Sequence, residues 1–500
     1  MLSAPPFGLW PLCAPALAML YYSAAAYPVR TYKETFLGGA LVGGLCMFAL
    51  YYLELFQFSW LPGSENLLTL IRAGIVPATL AAGACLGAGM VLYRQLRGRD
   101  LALNAMLGGG AFLLLELPAM AFFEGYYPGA LAYIVAPVPP LMHVAVLGGV
   151  ELVSFVVAGA ACFAAEVALA YRTGASRRDY ANAVLFAGAL ACVLVLSAGY
   201  TASAGRPGRT ISIAIPQAGG YQAIAFGTVA GGRFSFPAFA AQFPPKLLED
   251  ADFVFYPQSF FDGFLYKTEA PPAGAAAVAP LSVVAAWVKE NFSADTVVAT
   301  WDSVYEGGAG YSEYQFWKGG TLVDTYKKHD LHFLDNTSSW LGDRGVYQTK
   351  FFYAPGGDPE GPLALDGVSM GVAICSEMMR QDIVGTQAQG ASILLLMSSE
   401  AGFPDDAINV LTLTAARYRA VEYGIPVVHA DAVGPSALVN PDGSMAALAP
   451  WHWQGVLRGT VALREPHTTP YARFGAAPLY ILLVLALAVA ARFRFPRRLG

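Results

Sequence analysis

The chain has 500 residues, of which 56% are hydrophobic and only 13% charged, with a formal net charge of −5. That composition excludes an ordinary soluble globule, and the acidic balance excludes a broad basic surface, so nucleic acid is not expected as a partner. The opening Met1-Leu-Ser-Ala-Pro-Pro-Phe-Gly lacks the basic start of a cleavable signal, so targeting is expected to come from apolar spans.

The apolar excess lies in residues 8–200 and again near 476–491. Candidate spans cover 8–27, 36–57, 68–92, 101–123, 149–170, 182–200 and 476–491, each near the length a bilayer core requires. The last is short and calls on flanking residues or local thinning of the bilayer. Loop charges orient them. Arg30 and Lys33 follow the first span, Arg94, Arg97 and Arg99 the third, Arg172, Arg177 and Arg178 the fifth, and Arg492, Arg494, Arg497 and Arg498 the last. With all four clusters on the cytoplasmic side, the N-terminus and residues 201–475 lie outside. The proline-broken segment 124–148 then reads as an outer-face arm or re-entrant piece.

Glu54, Glu116 and Glu151 sit in or at the edges of spans, where a carboxyl is either functional or hydrogen-bonded between helices. The glycine runs at 38–44 and 108–110 predict close helix approach.

Residues 206–470 have the composition of an α/β domain. Strands are expected over 210–217, 253–258 and 296–301, followed by a hairpin over 314–326 with Gly319-Gly320 at its turn. A buried strand over 368–374 comes next, then a helix over 379–389 and a strand over 391–397. A helix over 409–423, a strand over 426–430 and a final hairpin over 436–443 complete the domain. Strands alternating with helices, with hairpins inserted, indicate a layered α/β architecture.

The strand over 368–374 delivers one cysteine to its end. The other five cysteines, Cys13, Cys46, Cys85, Cys162 and Cys192, all lie in apolar segments. Cys375 is therefore a small core residue or a nucleophile. A thiol serves acyl transfer when a base takes its proton or a cation stabilises the thiolate, and the attacked carbonyl needs a positive donor for its oxyanion. A lysine and a carboxylate converging on Cys375 would meet both needs. The six histidines show no metal-ligand spacing.

The order of elements resembles the nitrilase (carbon–nitrogen hydrolase) superfamily, and within it the apolipoprotein N-acyltransferase family. The resemblance rests on Pro5-Pro-Phe-Gly-Leu-Trp-Pro-Leu, Glu124-Gly-Tyr-Tyr-Pro, Gly148-Gly-Val-Glu-Leu-Val-Ser-Phe, Ile374-Cys-Ser-Glu377, Ala416-Arg-Tyr-Arg-Ala-Val-Glu422 and Gly434-Pro-Ser-Ala with Pro441-Asp-Gly. It implies an αββα sandwich on a polytopic helical membrane base. The expected regions are a transmembrane domain over 1–205, an extracytoplasmic nitrilase-like domain over 206–470, and a C-terminal span with a basic tail over 471–500.

The resemblance also implies a site in a bacterial inner membrane, a phospholipid acyl donor, a lipoprotein acceptor, and no cofactor or metal. Cys375 takes the nucleophile position and Lys328 the lysine position, with Lys327 as fallback; Glu377 matches the acid after the cysteine. Phe260, Phe261 and Phe403 are expected along the acyl chain, or simply as packing. The family's base glutamate follows a proline, yet here Pro257 is followed by Gln258, whose amide cannot accept a proton. Three outcomes stay open: acyl transfer with Glu377, Asp262, Glu306 or His329 sharing the proton work, a relative that binds lipid or lipoprotein without turnover, or hydrolysis of another amide or ester. The resemblance also implies that the sequence opens at the family's second helix, in keeping with the expected outside N-terminus.

Overall fold

The computed structural model describes the chain apart from residues 1–9, 27–30, 56–64, 123–130, 175, 204–206, 218–242, 268–277, 332–353, 399–405, 433, 452, 466–467 and 495–500. It separates into two compact units. One comprises Met1–Phe56, Leu70–Ser203 and Thr468–Gly500; the other comprises Gln57–Thr69 and Ala204–His467.

The first unit is helical: α1 (Cys13–Ala26), α2 (Tyr32–Leu55), α3 (Glu65–Leu96), α4 (Leu101–Phe122), α5 (Ala145–Thr173), α6 (Arg177–Ala202) and a C-terminal helix, Ala477–Arg494. Among the described residues, Ala145–Thr173, Tyr180–Ala202 and Ala477–Arg494 are long and apolar enough to cross a membrane. The glycine runs do bring helices together. A Cβ at Gly108 would lie 2.4 Å from the Cys162 sulfur on α5, and one at Gly83 on α3 would lie 2.6 Å from the Ala40 carbonyl on α2. Gly149 breaks the start of α5 at φ 71, a conformation that favours glycine, so the regular helix begins beyond it.

Two of the three carboxyls expected in or at the edges of spans can be placed. Glu116 and Glu151 are buried, and Glu116 Oε1 accepts the Leu131 backbone N–H at 3.1 Å. That bond ties α4 to the one-turn helix Leu131–Val135 in the stretch expected to form the arm. The Glu54 side chain and residues 124–130 lie outside the described residues.

The second unit is a sandwich of two sheets. The first contains β1 (Pro207–Gln217), β2 (Phe253–Tyr266), β3 (Val278–Pro280), β4 (Val297–Glu306), β5 (Ala309–Lys318) and β6 (Thr321–Lys327). The second contains β7 (Leu363–Leu365), β8 (Val368–Ile374), β9 (Ile393–Ser398), β10 (Val427–Asp431), β11 (Ala437–Val439) and β12 (Met445–Leu448). A last strand, β13 (Gly455–Arg464), returns to the first sheet and pairs antiparallel with β1. The first sheet runs β13-β1-β2-β4-β5-β6 with β3 added to β2, and the second runs β12-β11-β10-β9-β8-β7.

One apolar core joins the facing sides, with Ile213, Phe255, Ala299 and Phe316 from the first sheet meeting Val372, Leu395, Val428 and Leu438 from the second. Each fully buried aliphatic or aromatic chain there contributes about 1.5–3 kcal/mol of transfer free energy. A second cluster on the far face of the first sheet holds Val254, Val298 and Trp317 with Val284 and Val288 of helix α7 (Ser282–Asn291). Helices α8 (Gln381–Ala388) and α9 (Asp406–Tyr423) pack on the second sheet. The layers are therefore helix, sheet, sheet, helix, the nitrilase-like α/β arrangement.

Candidate active site

Parallel strands set which residues gather at one end. β2 and β4 are parallel, β5 is antiparallel to β4, and β6 is antiparallel to β5. β6 therefore points the same way as β2 and β4, and it delivers Lys327 and Lys328 to their carboxyl-terminal edge. In the second sheet β8 ends at Ile374, and the chain turns at once into a 3-10 turn, Cys375–Met379. Cys375 stands at that corner with φ 55, a left-handed conformation that costs a non-glycine residue about 1–3 kcal/mol. The corner leaves Cys375 half-buried, packed against the core between the sheets.

Glu377 joins the two segments. It is fully buried, and among the described residues its carboxylate accepts four hydrogen bonds. Oε2 accepts from the Tyr326 hydroxyl at 3.0 Å and the Ile374 N–H at 2.8 Å. Oε1 accepts from the backbone N–H groups of His329 at 2.7 Å and Asp330 at 3.1 Å. Tyr326, His329 and Asp330 bracket Lys328, whereas Ile374 precedes Cys375. One carboxylate thus holds the lysine segment and the cysteine corner together across the two sheets. Burial pushes the Glu377 carboxyl up, while the backbone bonds and the Lys328 charge pull it down. The Tyr326 phenol is pushed well above its usual value, first by burial and then by Glu377.

The two lysines separate cleanly. Successive side chains of a strand point to opposite faces. Lys327 turns to the outer face, where its Nζ lies 2.6 Å from Glu306 Oε2 and 4.2 Å from the centre of the Tyr311 ring. Lys267 completes the cluster, 3.2 Å from Glu306 and 3.1 Å from the buried Glu313. Lys328 is 2% exposed, and its charge acts on Glu377. The fallback lysine is thus held by Glu306 on the other side of the sheet.

The backbone of Lys328 is fixed on both sides. Its N–H donates to the Ser312 carbonyl at 2.8 Å, and its carbonyl accepts from Gly356 N–H at 2.9 Å. The 354–357 segment crosses so close that a Cβ on Gly356 would lie 2.6 Å from the Lys327 carbonyl oxygen.

Of the alternative proton acceptors, Glu306 is held below the usual carboxylate range by its bond from Lys327, with help from Lys267, and so is a weak base. His329 sets its Nδ1 2.9 Å from the Gly357 carbonyl, which places the proton on Nδ1. The backbone at Gln258 falls where β2 bulges against β4, between the pairs Tyr256↔Thr300 and Ser259↔Trp301. The side chains of Gln258, Phe260, Phe261 and Asp262, and all of Phe403, lie outside the described residues.

Sequence reasoning passed over Tyr326, Asp330, Arg380 and Gly356. Arg380 Nη1 donates to Asp330 Oδ2 at 2.8 Å, while its Nε and Nη2 hold the two oxygens of Asp382 at 3.0 and 2.8 Å. Among the described residues no three His, Cys, Asp or Glu side chains gather as metal ligands.

Comparison with known proteins finds two family models on this chain. That of the carbon–nitrogen hydrolases matches residues 249–471, and that of the apolipoprotein N-acyltransferase N-terminal domain matches residues 1–163. An apolipoprotein N-acyltransferase of Pasteurella multocida is 32% identical over 136 residues, 27% of this chain and 26% of that protein. One of Haemophilus influenzae is 34% identical over 125 residues, 25% of this chain and 23% of that protein. The aligned stretch spans about a quarter of the length of either relative. Among solved structures, Saccharomyces cerevisiae Nit3, a member of branch 10 of the nitrilase superfamily, aligns over 54% of this chain and 96% of its own, with 16% identity and a TM-score of 0.37.

Proposed function

We infer, from the premise that the chain belongs to the apolipoprotein N-acyltransferase family of the carbon–nitrogen hydrolase superfamily, that it moves an acyl chain from a phospholipid to the N-terminal amine of a lipoprotein. The observation that carries this reading is the Glu377 carboxylate, shared by the segment bearing Lys328 and the corner bearing Cys375. In this reading the protein is a multi-pass component of a bacterial inner membrane. Its helical region covers 1–205, its sandwich faces outward over 206–470, and a last span with its basic tail covers 471–500. Phe260, Phe261 and Phe403 line the acyl chain.

The chemistry runs in two half-reactions. The Cys375 sulfur attacks the ester carbonyl, and the tetrahedral oxyanion is stabilised by the Lys328 ammonium. The C–O bond breaks, the lysophospholipid leaves as an alcohol with the proton that began on the thiol, and a thioester remains. The acceptor amine then attacks the thioester, the C–S bond breaks, and an amine proton returns to sulfur as the amide forms. No proton is gained or lost over either half-reaction, so the site needs a temporary proton holder only. An ammonium beside the sulfur lowers the demand on that holder by favouring the thiolate. This is how the reading accommodates Gln258, with Glu377 acting as the brace of the pair.

The test is to incubate the full chain in detergent with a phospholipid carrying a tagged acyl group. A hydroxylamine-labile adduct that is lost in Cys375→Ala and sharply reduced in Lys328→Met is expected, followed by transfer of the tag to an apolipoprotein N-terminus. Labelling that survives in Cys375→Ala, or tag released only as free fatty acid, would overturn the reading.

A further inference from the structure

The cysteine and the lysine belong to different sheets. Their separation is therefore set by whatever bridges the two sheets at this end, because neither strand hydrogen-bonds to the other. Two side-chain links join the cysteine turn to the lysine segment among the described residues. One is the buried Glu377. The other is nearer the surface, where Arg380, five residues after Cys375, reaches Asp330, two residues after Lys328. The guanidinium side chain is 26% exposed and the Asp330 side chain 21%, so the contact is only partly open to solvent.

Arg380 is well placed to act as a strut. Its backbone N–H donates to the Glu377 carbonyl at 2.9 Å, closing the cysteine turn, and its own carbonyl accepts from Val384 N–H at 3.0 Å in helix α8. Its side chain is braced along the Nε–Nη2 edge by both oxygens of Asp382 in the first turn of the same helix, which leaves Nη1 aimed at Asp330. Planar, two-pronged pairing of this kind fixes direction as well as distance. Asp330 in turn gives its backbone N–H to Glu377. Pulling on the Asp330 carboxylate thus moves the peptide that sits two residues from Lys328.

We propose that Arg380, acting through Asp330, is a positioning residue that sets the reach of Lys328 to Cys375. The inference rests on the reading of Lys328 and Cys375 as a working pair. It assigns the strut a role in catalysis that the buried Glu377 does not fill alone. An angstrom of misplacement at such a pair lowers rate on the order of 10²-fold.

The test is the pH dependence of Cys375 alkylation by iodoacetamide in the full chain in detergent, measured for the parent, Lys328→Met, Arg380→Gln, Asp330→Asn and Arg380→Lys. The titratable or charged groups around the pair are Tyr326, Lys328, His329 and Asp330 on one segment, Glu377, Arg380 and Asp382 on the other, and on helix α9 Arg419, which donates to the Met378 and Met379 carbonyls, with its partner Glu422. The expected result is a raised alkylation inflection in Lys328→Met, a smaller rise in both Arg380→Gln and Asp330→Asn, and partial recovery in Arg380→Lys, which keeps the charge without the fork. Alkylation at neutral pH should fall about fivefold to tenfold in the first two strut variants, on the thiolate dependence of the reaction. An inflection in Lys328→Met equal to the parent's would sink the pairing of lysine and cysteine. A shift in Lys328→Met with none in Arg380→Gln or Asp330→Asn would leave that pairing standing and overturn the strut. If Arg380→Gln does not fold, Asp330→Asn carries the same test, since it leaves the Arg380–Asp382 fork intact.

Discussion

Replacing Glu377 by glutamine tests the brace at the centre of the site. The side chains are nearly isosteric, so the change is one of hydrogen-bonding capacity. Four donors now meet two carboxylate oxygens, and an amide offers one oxygen and one NH₂. If the NH₂ faces His329 and Asp330, two backbone N–H groups lose their acceptor. If it faces the other side, the Tyr326 hydroxyl can rotate to accept, and only Ile374 N–H is orphaned. The second arrangement is cheaper and should be adopted.

It leaves one buried donor without a partner, at about 1–3 kcal/mol, and turns the other three charge-assisted bonds into neutral ones, at about 0.5–1 kcal/mol each. Relief from burying a charge offsets part of this. The net loss should be about 2–4 kcal/mol, or roughly 5–12 °C in the melting temperature of a domain of this size. Two opposite effects act on the thiol. Removing a negative charge near Lys328 favours the Cys375 thiolate, whereas loosening the cysteine corner from the lysine segment disfavours it. The orphaned Ile374 N–H adjoins Cys375 directly, so loosening should win and alkylation of Cys375 at neutral pH should slow. A melting temperature within about 1 °C of the parent, or faster alkylation, would refute the argument that Glu377 is a saturated brace.

Three further outcomes follow from single positions. Cys375 holds φ 55, so Cys375→Gly should melt higher than Cys375→Ala by the equivalent of about 1 kcal/mol, although both lose the acyl adduct; equal melting temperatures would remove the case for a strained corner. Gly356→Ala brings a methyl group to 2.6 Å from the Lys327 carbonyl oxygen and should cost about 1–3 kcal/mol in a thermal melt, together with slower adduct formation, because the Lys328 carbonyl bond to residue 356 is pushed apart. His429 is fully buried on β10, and burial lowers its pKa against the opposing pull of Asp431 and the Leu396 carbonyl. A histidine with a depressed folded pKa leaves stability intact above its unfolded value, about 6.5, and withdraws it as pH falls through the folded one. Urea melts should therefore weaken progressively below that value, and His429→Gln should flatten this slope relative to the parent.

What the sequence made legible, and what it hid, follows from the range of the interactions involved. Strand β8 could be read to the residue because a mostly apolar run over 368–374 ends at a turn, and that signal is local. The hairpin β5–β6 was announced by Gly319-Gly320, which both adopt positive φ. Strand β13 was missed, since its partner β1 lies more than two hundred residues earlier and nothing local reports the pairing. The Arg380–Asp330 contact was hidden for the same reason. Fifty residues separate the two, and each charge taken alone looks like ordinary surface.

Glu377 shows a part that its position in the sequence does not announce. An acid two residues past a candidate nucleophile reads as a proton acceptor, and the four donors on its oxygens add a bracing part that only the folded chain displays. The choice between the two lysines shows how little structural information then suffices. Composition cannot tell Lys327 from Lys328, but fixing the face of any one residue in β6 decides both, because the side-chain period is two. Tyr326 faces Glu377, so Lys327 must face away and meets Glu306, and the chain leaves the strand with Lys328 on the inner side. A one-residue slip in β6 would exchange them, breaking the Lys327–Glu306 pair and turning Lys327 toward the cysteine corner; the register Glu313↔Lys327 is therefore the constraint on which the choice of cation depends.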